Sequence, residues 1–319
     1  KAQFSTPYKK ASTVASSPPQ QRLNSLLDLY QAGQAVEAER LSVSIIQEFP
    51  KHPFAWKILG AVLKQTERLS EALDANQKAV ELAPQDTEAH NNLGVTFIEL
   101  GQLNKAEASF RQAIVLKPDS AETHNNLAVT LKGLNRPSEA EASYRHAIAL
   151  KPDYAEAHGN LGIALKELGR LEEAEASYRQ AIVLKPDYAE AHNNLGNALQ
   201  TTGKLDDAIS SYRRALTWKP EYAEAHFNMG NILHAQGQLD EAISSFRRAL
   251  TLKPGYFEAH NNIAISFQAQ GKIGEAIESY RQALILKPDY AAACYNMGGA
   301  LKGINLYKPD SSMSDIIFN

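Results

Sequence analysis

Residues 185–196 read Lys-Pro-Asp-Tyr-Ala-Glu-Ala-His-Asn-Asn-Leu-Gly, and the stretches beginning at Lys151 and Lys219 repeat that phrase with few substitutions. The phrase is one cycle of a longer period. Pro50, Pro84, Pro118, Pro152, Pro186, Pro220, Pro254 and Pro288 stand 34 residues apart, a regularity that chance does not produce and that marks a tandem array. Closing each unit near its proline gives repeats 19–52, 53–86, 87–120, 121–154, 155–188, 189–222, 223–256 and 257–290. A ninth begins as helix A over 291–304. Length alone suggests about two domains; the period predicts one quasi-one-dimensional stack instead.

Each unit reads as two helices. In repeat 189–222, Ala191, Leu195, Ala198 and Leu199 share one helical face, by their spacing of three and four. Gly203 breaks that helix, and Leu205, Ala208, Ile209, Tyr212, Ala215 and Leu216 make the stripe of a second. Turns are expected near Gly101, Gly169, Gly203, Gly237 and Gly271, with no strand. A capping box is expected to open helix A, with Asp119–Glu122, Asp153–Glu156 and Asp187–Glu190 as its pairs. Small residues recur on helix A (Gly94, Gly162, Gly196, Gly230) and rings on helix B (Phe110, Tyr144, Tyr178, Tyr212, Phe246, Tyr280). That small-to-large fit sets how a hairpin closes and leans on the next.

The period, the Leu-Gly pair, the helix B alanines and ring, and the closing proline resemble the tetratricopeptide repeat over residues 19–304. The closest flavour is the repeat region of O-linked N-acetylglucosamine transferases and of bacterial multi-repeat proteins. The resemblance implies an all-α fold, an α-solenoid of antiparallel helix pairs wound into a right-handed superhelix, with a concave groove lined mainly by helix A.

The ends differ from the middle. Ser42 stands where the ring belongs, and repeat 53–86 has Trp56 for His, Ile58 for Asn and Asn76 for the ring; atypical end units act as caps. Residues 1–18 are rich in Ser, Thr, Pro and Lys and read as a disordered tail, in which Lys9-Lys10-Ala11-Ser12 faintly resembles a kinase site. Residues 305–319 read as the irregular end of a fragment, whose uncovered stack end offers a route to self-association.

Composition narrows the function. Lys and Arg number 33 and Asp and Glu 36, a formal net charge of −3, without the basic stripe that nucleic acid requires. No apolar run approaches the ~18 residues needed to span a bilayer. Cys294 is the only cysteine and there is no glycosylation sequon; no disulfide is available, and a reduced, cytoplasmic setting is expected. No phosphate loop, metalloprotease helix or nucleophile elbow occurs, so neither catalysis nor a cofactor is expected of this chain.

Repeated columns carry what remains. Asn92, Asn126, Asn160, Asn194, Asn228, Asn262 and Asn296 hold one place in consecutive units. An amide offers both an acceptor and donors, matching a peptide backbone, and in the resembling transferases the corresponding column contacts substrate backbone. The alternative is that these amides tie repeats together. The same groove face gains Asn193, Asn197, Phe227, Asn231 and Tyr295, grading from amide to aromatic. No basic pair stands one turn apart on it, so no carboxylate clamp is expected.

His90, His124, His158, His192, His226 and His260 form a second column. Neighbouring helix axes lie ~8–10 Å apart, too far for shared zinc ligands at about 2 Å. Packing, with one ring nitrogen hydrogen-bonded, is expected instead, and Cys294 continues the column as a packed thiol. Glu88, Glu122, Glu156, Glu190, Glu224 and Glu258 read as caps more than as an acidic rim. The arginines of helix B, from Arg111 to Arg281, read as a solvated mixed-charge surface. The function expected is a scaffold that takes an extended peptide of a partner protein. The alternative is a substrate-recruiting arm of a transferase whose catalytic domain lies outside this chain.

Overall fold

The computed structural model describes residues 17–307. Residues 1–16 and 308–319, with most of the expected tail, the Lys9-Lys10-Ala11-Ser12 motif and most of the expected irregular end, lie outside the described residues. The described residues form 17 α-helices and no strand. They fall into two compact units, Lys1–Pro152 and Asp153–Asn319. Repeats contact only their neighbours in sequence, so an array has no core common to all of it.

The first unit pairs α1 (Gln20–Gln31) with α2 (Ala35–Glu48), α3 (Pro53–Gln65) with α4 (Leu69–Leu82), α5 (Thr87–Glu99) with α6 (Leu103–Leu116), and α7 (Ala121–Gly133) with α8 (Pro137–Leu150). The second pairs α9 (Ala155–Glu167) with α10 (Leu171–Leu184), α11 (Ala189–Thr201) with α12 (Leu205–Trp218), α13 (Ala223–Ala235) with α14 (Leu239–Leu252), and α15 (Phe257–Ala269) with α16 (Ile273–Leu286). It ends in α17 (Ala291–Tyr307), three residues beyond the expected 304. Within each unit, successive A helices touch one another, whereas among the described residues no two B helices do. The A row is therefore the inner face of each unit.

The turn between A and B is fixed by backbone conformation. Gly203 takes φ +77°, and the next amide, of Lys204, donates to Leu199 O at 2.9 Å, the Schellman closure of a helix. Six glycines do this, but Glu67 (φ 59°) and Asn135 (φ 58°) occupy the same place. Asparagine tolerates the left-handed region; glutamate enters it against the steric clash of its Cβ. Glu67→Gly is expected to stabilise the first unit by about 0.5–1 kcal/mol, read as a higher urea midpoint at an unchanged slope.

The small-to-large fit is present as expected. A Cβ added to Gly196 would lie 2.6 Å from the Tyr212 ring, and the same holds for Gly94 with Phe110, Gly162 with Tyr178 and Gly230 with Phe246 within 2.5–2.7 Å. Those rings are at most 1% exposed. In the first repeat the sizes are exchanged: Leu26 is on helix A and Ser42 on helix B, both fully buried. In the second, Asn76 fills the ring's place and donates to Thr96 Oγ1 at 2.9 Å.

Two local expectations fail. Asp153 and Asp187 do not cap: α9 and α11 start after Tyr154 and Tyr188 with no side-chain cap. Ser120 rather than Asp119 accepts from Thr123 N at α7. The chain turns into the helix one residue later than the pattern suggests, so each aspartate lies outside the first turn. Cys294 is exposed rather than packed, because among the described residues no helix B follows α17 to cover that face. For the same reason nothing lies within 4 Å of the Cβ position at Gly298, where earlier repeats place a ring.

Candidate functional site

The asparagine column runs along the A face of each unit, and every member is half-buried. Its amides bond across repeats. In the first unit Asn126 Nδ2 donates to Asn91 Oδ1 at 3.2 Å; at Asn92 it is the backbone carbonyl that accepts, from Thr96 Oγ1 within α5. In the second unit Asn228 Nδ2 donates to Asn197 Oδ1 at 3.0 Å and Asn193 Oδ1 at 3.4 Å. Asn193 in turn donates to Asn194 Oδ1 at 3.5 Å. Further along, Asn262 Nδ2 donates to Asn231 Oδ1 at 2.7 Å and accepts from Asn261 at 3.0 Å. Asn296 Nδ2 donates to Asn261 Oδ1 at 3.3 Å. Asn160 also stands half-buried on α9 and makes contacts of its own. The structure thus joins Asn193, Asn194, Asn197 and Asn228 in one network, and Asn231, Asn261, Asn262 and Asn296 in another.

The aromatic positions behave differently from one another. Phe227 stacks on Tyr256 with ring centroids 4.5 Å apart, lies 5.7 Å from Phe246 and stays half-buried. Tyr295 is 84% exposed. The column that holds Asn91 and Asn193 also includes Lys57, which the asparagine pattern does not announce. Lys57 Nζ donates to Glu88 at 2.6 Å and Asp86 at 3.0 Å. Burial works against its charge, but the bonds from Glu88 and Asp86 outweigh it and hold its pKa above the ordinary value. Committed to two carboxylates, it is no carboxylate clamp.

Three members of the glutamate column, all in the first turns of their helices, pair with lysines. Lys219 Nζ meets Glu190 at 2.9 Å, Lys185 meets Glu156 at 3.3 Å and Lys253 meets Glu224 at 3.7 Å. Each lysine also lies over the tyrosine three residues on: Lys185 over Tyr188 at 5.1 Å, Lys219 over Tyr222 at 4.7 Å and Lys253 over Tyr256 at 4.6 Å. Burial, with the carboxylates beside it, pushes the Tyr222 phenol up to about 12. This Lys–Tyr–Glu edge of the A face escaped the sequence reasoning, although the recurring Lys-Pro-Asp-Tyr phrase spelled it out.

The histidines pack, as expected. The Nε2–H of His90, His124, His192 and His226 donates to the carbonyls of Pro84, Pro118, Pro186 and Pro220 at 2.8–3.1 Å. Trp56 Nε1 makes the same bond to Pro50 O at 2.9 Å, so tryptophan and histidine serve one purpose here. Burial lowers the pKa of His124, His192, His226 and His260. Among the described residues no group of three or more His, Cys, Asp or Glu could hold a metal, and no helix is long and apolar enough to cross a membrane. On the helix B surface, arginines pair with acids: Glu107 takes both Arg111 at 2.8 Å and Arg136 at 2.7 Å.

Against known proteins, the profile of the cilia and flagella-associated protein 70 C-terminal domain, a TPR domain, matches residues 20–264. A TPR repeat profile matches 266–304. No curated protein matches the sequence. Among solved structures, the APC/C hetero-tetramer Cut9-Hcn1 aligns at a TM-score of 0.65 and 17% identity, over 84% of this chain and 52% of that one. This chain therefore spans about half the length of that relative. Pseudomonas aeruginosa pilF aligns at 0.61 and 21% identity, over 67% and 97%. YrrB, described as a TPR protein with an unusual peptide-binding site, aligns at 0.51 and 25% identity, over 59% and 97%. The fold is that of a protein–protein interaction scaffold, and with one such profile matching most of its length, the chain belongs to the tetratricopeptide-repeat family that the profile describes.

Proposed function

We propose that the A face binds an extended segment of a partner protein and holds its backbone through the asparagine column. One observation carries this: half-buried carboxamides hold the same place in seven consecutive units, from Asn92 to Asn296, and Asn262 among them keeps hydrogen-bonding capacity beyond the bonds it makes. A primary amide offers two N–H donors and two acceptor lone pairs. Asn262 uses one N–H on Asn231 and one lone pair on Asn261, which leaves one of each for a ligand. The amide-to-amide bonds orient the column beforehand, lowering the entropy cost of binding. The description of YrrB as a peptide-binding TPR protein supports the same class of ligand. Catalysis has no part in this reading.

The test uses peptides selected from a random display library against the whole chain. A photo-crosslinking residue at Ile163, one turn from Asn160 on α9, should capture a selected peptide, and one at the exposed Arg213 on α12 should not. Capture at Arg213 alone, or failure to select any peptide, would remove the proposal.

A further inference from the structure

We infer that the first unit carries a receptor for one tyrosine side chain of the bound segment, in a slot between the N-terminal turns of α5 and α7. The inference rests on the peptide reading above and adds which side chain the groove selects.

The second unit shows what fits this slot. The Tyr222 ring lies beneath Lys219 at 4.7 Å, and Glu190 and Glu224 act on its phenol. Tyr188 sits the same way, beneath Lys185 at 5.1 Å with its ring 3.1 Å from the Cβ position of Gly159, and the charges of Glu156 and Glu190 act on its phenol. Carried back through the period to the first unit, this surround becomes Asn91, Lys117, Glu88 and Glu122, but Ser120 stands where the ring belongs. Those residues line a cavity of about 400 Å³. The small Ser120 side chain is turned to α7, where its oxygen accepts from Thr123 N at 3.3 Å.

The slot's polar groups suit an incoming ring. Glu88, which by register would pair with Lys117, is drawn instead to Lys57 at 2.6 Å. Among the described residues no carboxylate pairs with Lys117. An ammonium without a counterion at the mouth of an empty ring site favours an aromatic face by cation–π attraction. Glu122, which accepts from Asn91 Nδ2 at 3.4 Å, holds the register position of Glu224, whose charge acts on the Tyr222 phenol. The repeat thus holds its ligand's template in its own sister units.

The test fills the slot with the chain's own ring. Ser120→Tyr recreates the surround of Tyr222, whose helix α11–α13 neighbourhood already accepts a tyrosine there, and far-UV circular dichroism checks the fold. The probe is p-cresol, the tyrosine side chain without its backbone, titrated into isotope-labelled chain. Saturable amide shifts are expected at Glu88, Asn91, Lys117 and Ser120, with apparent affinity weakened at least tenfold in Ser120→Tyr. As an independent variant, Tyr222→Ser should open a second p-cresol site at Glu190, Asn193 and Lys219. No saturable shift in the unmodified chain, or an equal shift in Ser120→Tyr, overturns the slot. Library peptides separate the two readings. Tyrosine enrichment lost in Ser120→Tyr while peptides are still selected supports both, and enrichment for lysine or arginine, or for nothing at that position, overturns the slot alone. Absence of any selected peptide alongside p-cresol binding removes the groove and leaves the slot.

Discussion

Replacing Tyr212 by alanine is expected to cost the second unit about 3–5 kcal/mol, the range for deleting a large buried ring. The ring is fully buried, and its single O–H is shared between Asn197 Oδ1 at 2.7 Å and Gln200 Oε1 at 3.1 Å. Truncation leaves a void against Gly196 and removes a donor from two side-chain oxygens. It also frees Asn197, the acceptor of Asn228, and so loosens the A face. Gly196→Leu should destabilise as well, since even its Cβ would lie 2.6 Å from the ring and overpacking costs about 1–3 kcal/mol or more. The exchange Gly196→Leu with Tyr212→Ser copies Leu26 and Ser42 of the first repeat and should recover part of the loss. Urea unfolding of the singles and the double gives the coupling. A Tyr212→Ala loss below about 1 kcal/mol would contradict the close fit, and a double mutant no better than the sum of its singles would contradict the exchange.

Asn160, Asn194 and Asn228 changed together to alanine should weaken a selected peptide by about 1.5–4 kcal/mol, at ~0.5–1.5 kcal/mol net for each hydrogen bond. That is tenfold to several hundredfold in affinity. Stability should move little, for two opposing reasons. Asn228 loses its bonds to Asn197 and Asn193, but alanine is the better helix former by up to about 0.7 kcal/mol at each site. Asn197 keeps its bond from Tyr212, and the buried Asn193 loses only the long contacts, 3.4 and 3.5 Å, that it makes with Asn228 and Asn194. Isothermal titration and a thermal melt of the same variant separate the possibilities. Unchanged affinity with a melting temperature many degrees lower would assign the column to holding repeats together.

The period, the helix pairs, the left-handed turn and the small-to-large fit were legible in the residues because each depends on spacing within one repeat. A proline every 34 residues, Gly203 at a helix end and Gly196 opposite Tyr212 need no knowledge of neighbours. The histidines were legible for the same reason: His192 reaches Pro186, six residues away. What only the tertiary structure decided lies between repeats. Glu190 looked like a cap, yet it meets Lys219, 29 residues on. Asn228 meets Asn197 and Asn193, 31 and 35 residues back. Phe227 looked like a lone ring and stacks on Tyr256 of the same unit. Such partners depend on how far one hairpin leans over the next, which follows from packing volumes summed over an interface. The division into Lys1–Pro152 and Asp153–Asn319 is of the same kind. The period repeats across that boundary unchanged, because it records the local geometry of each hairpin and not how hairpins gather into units.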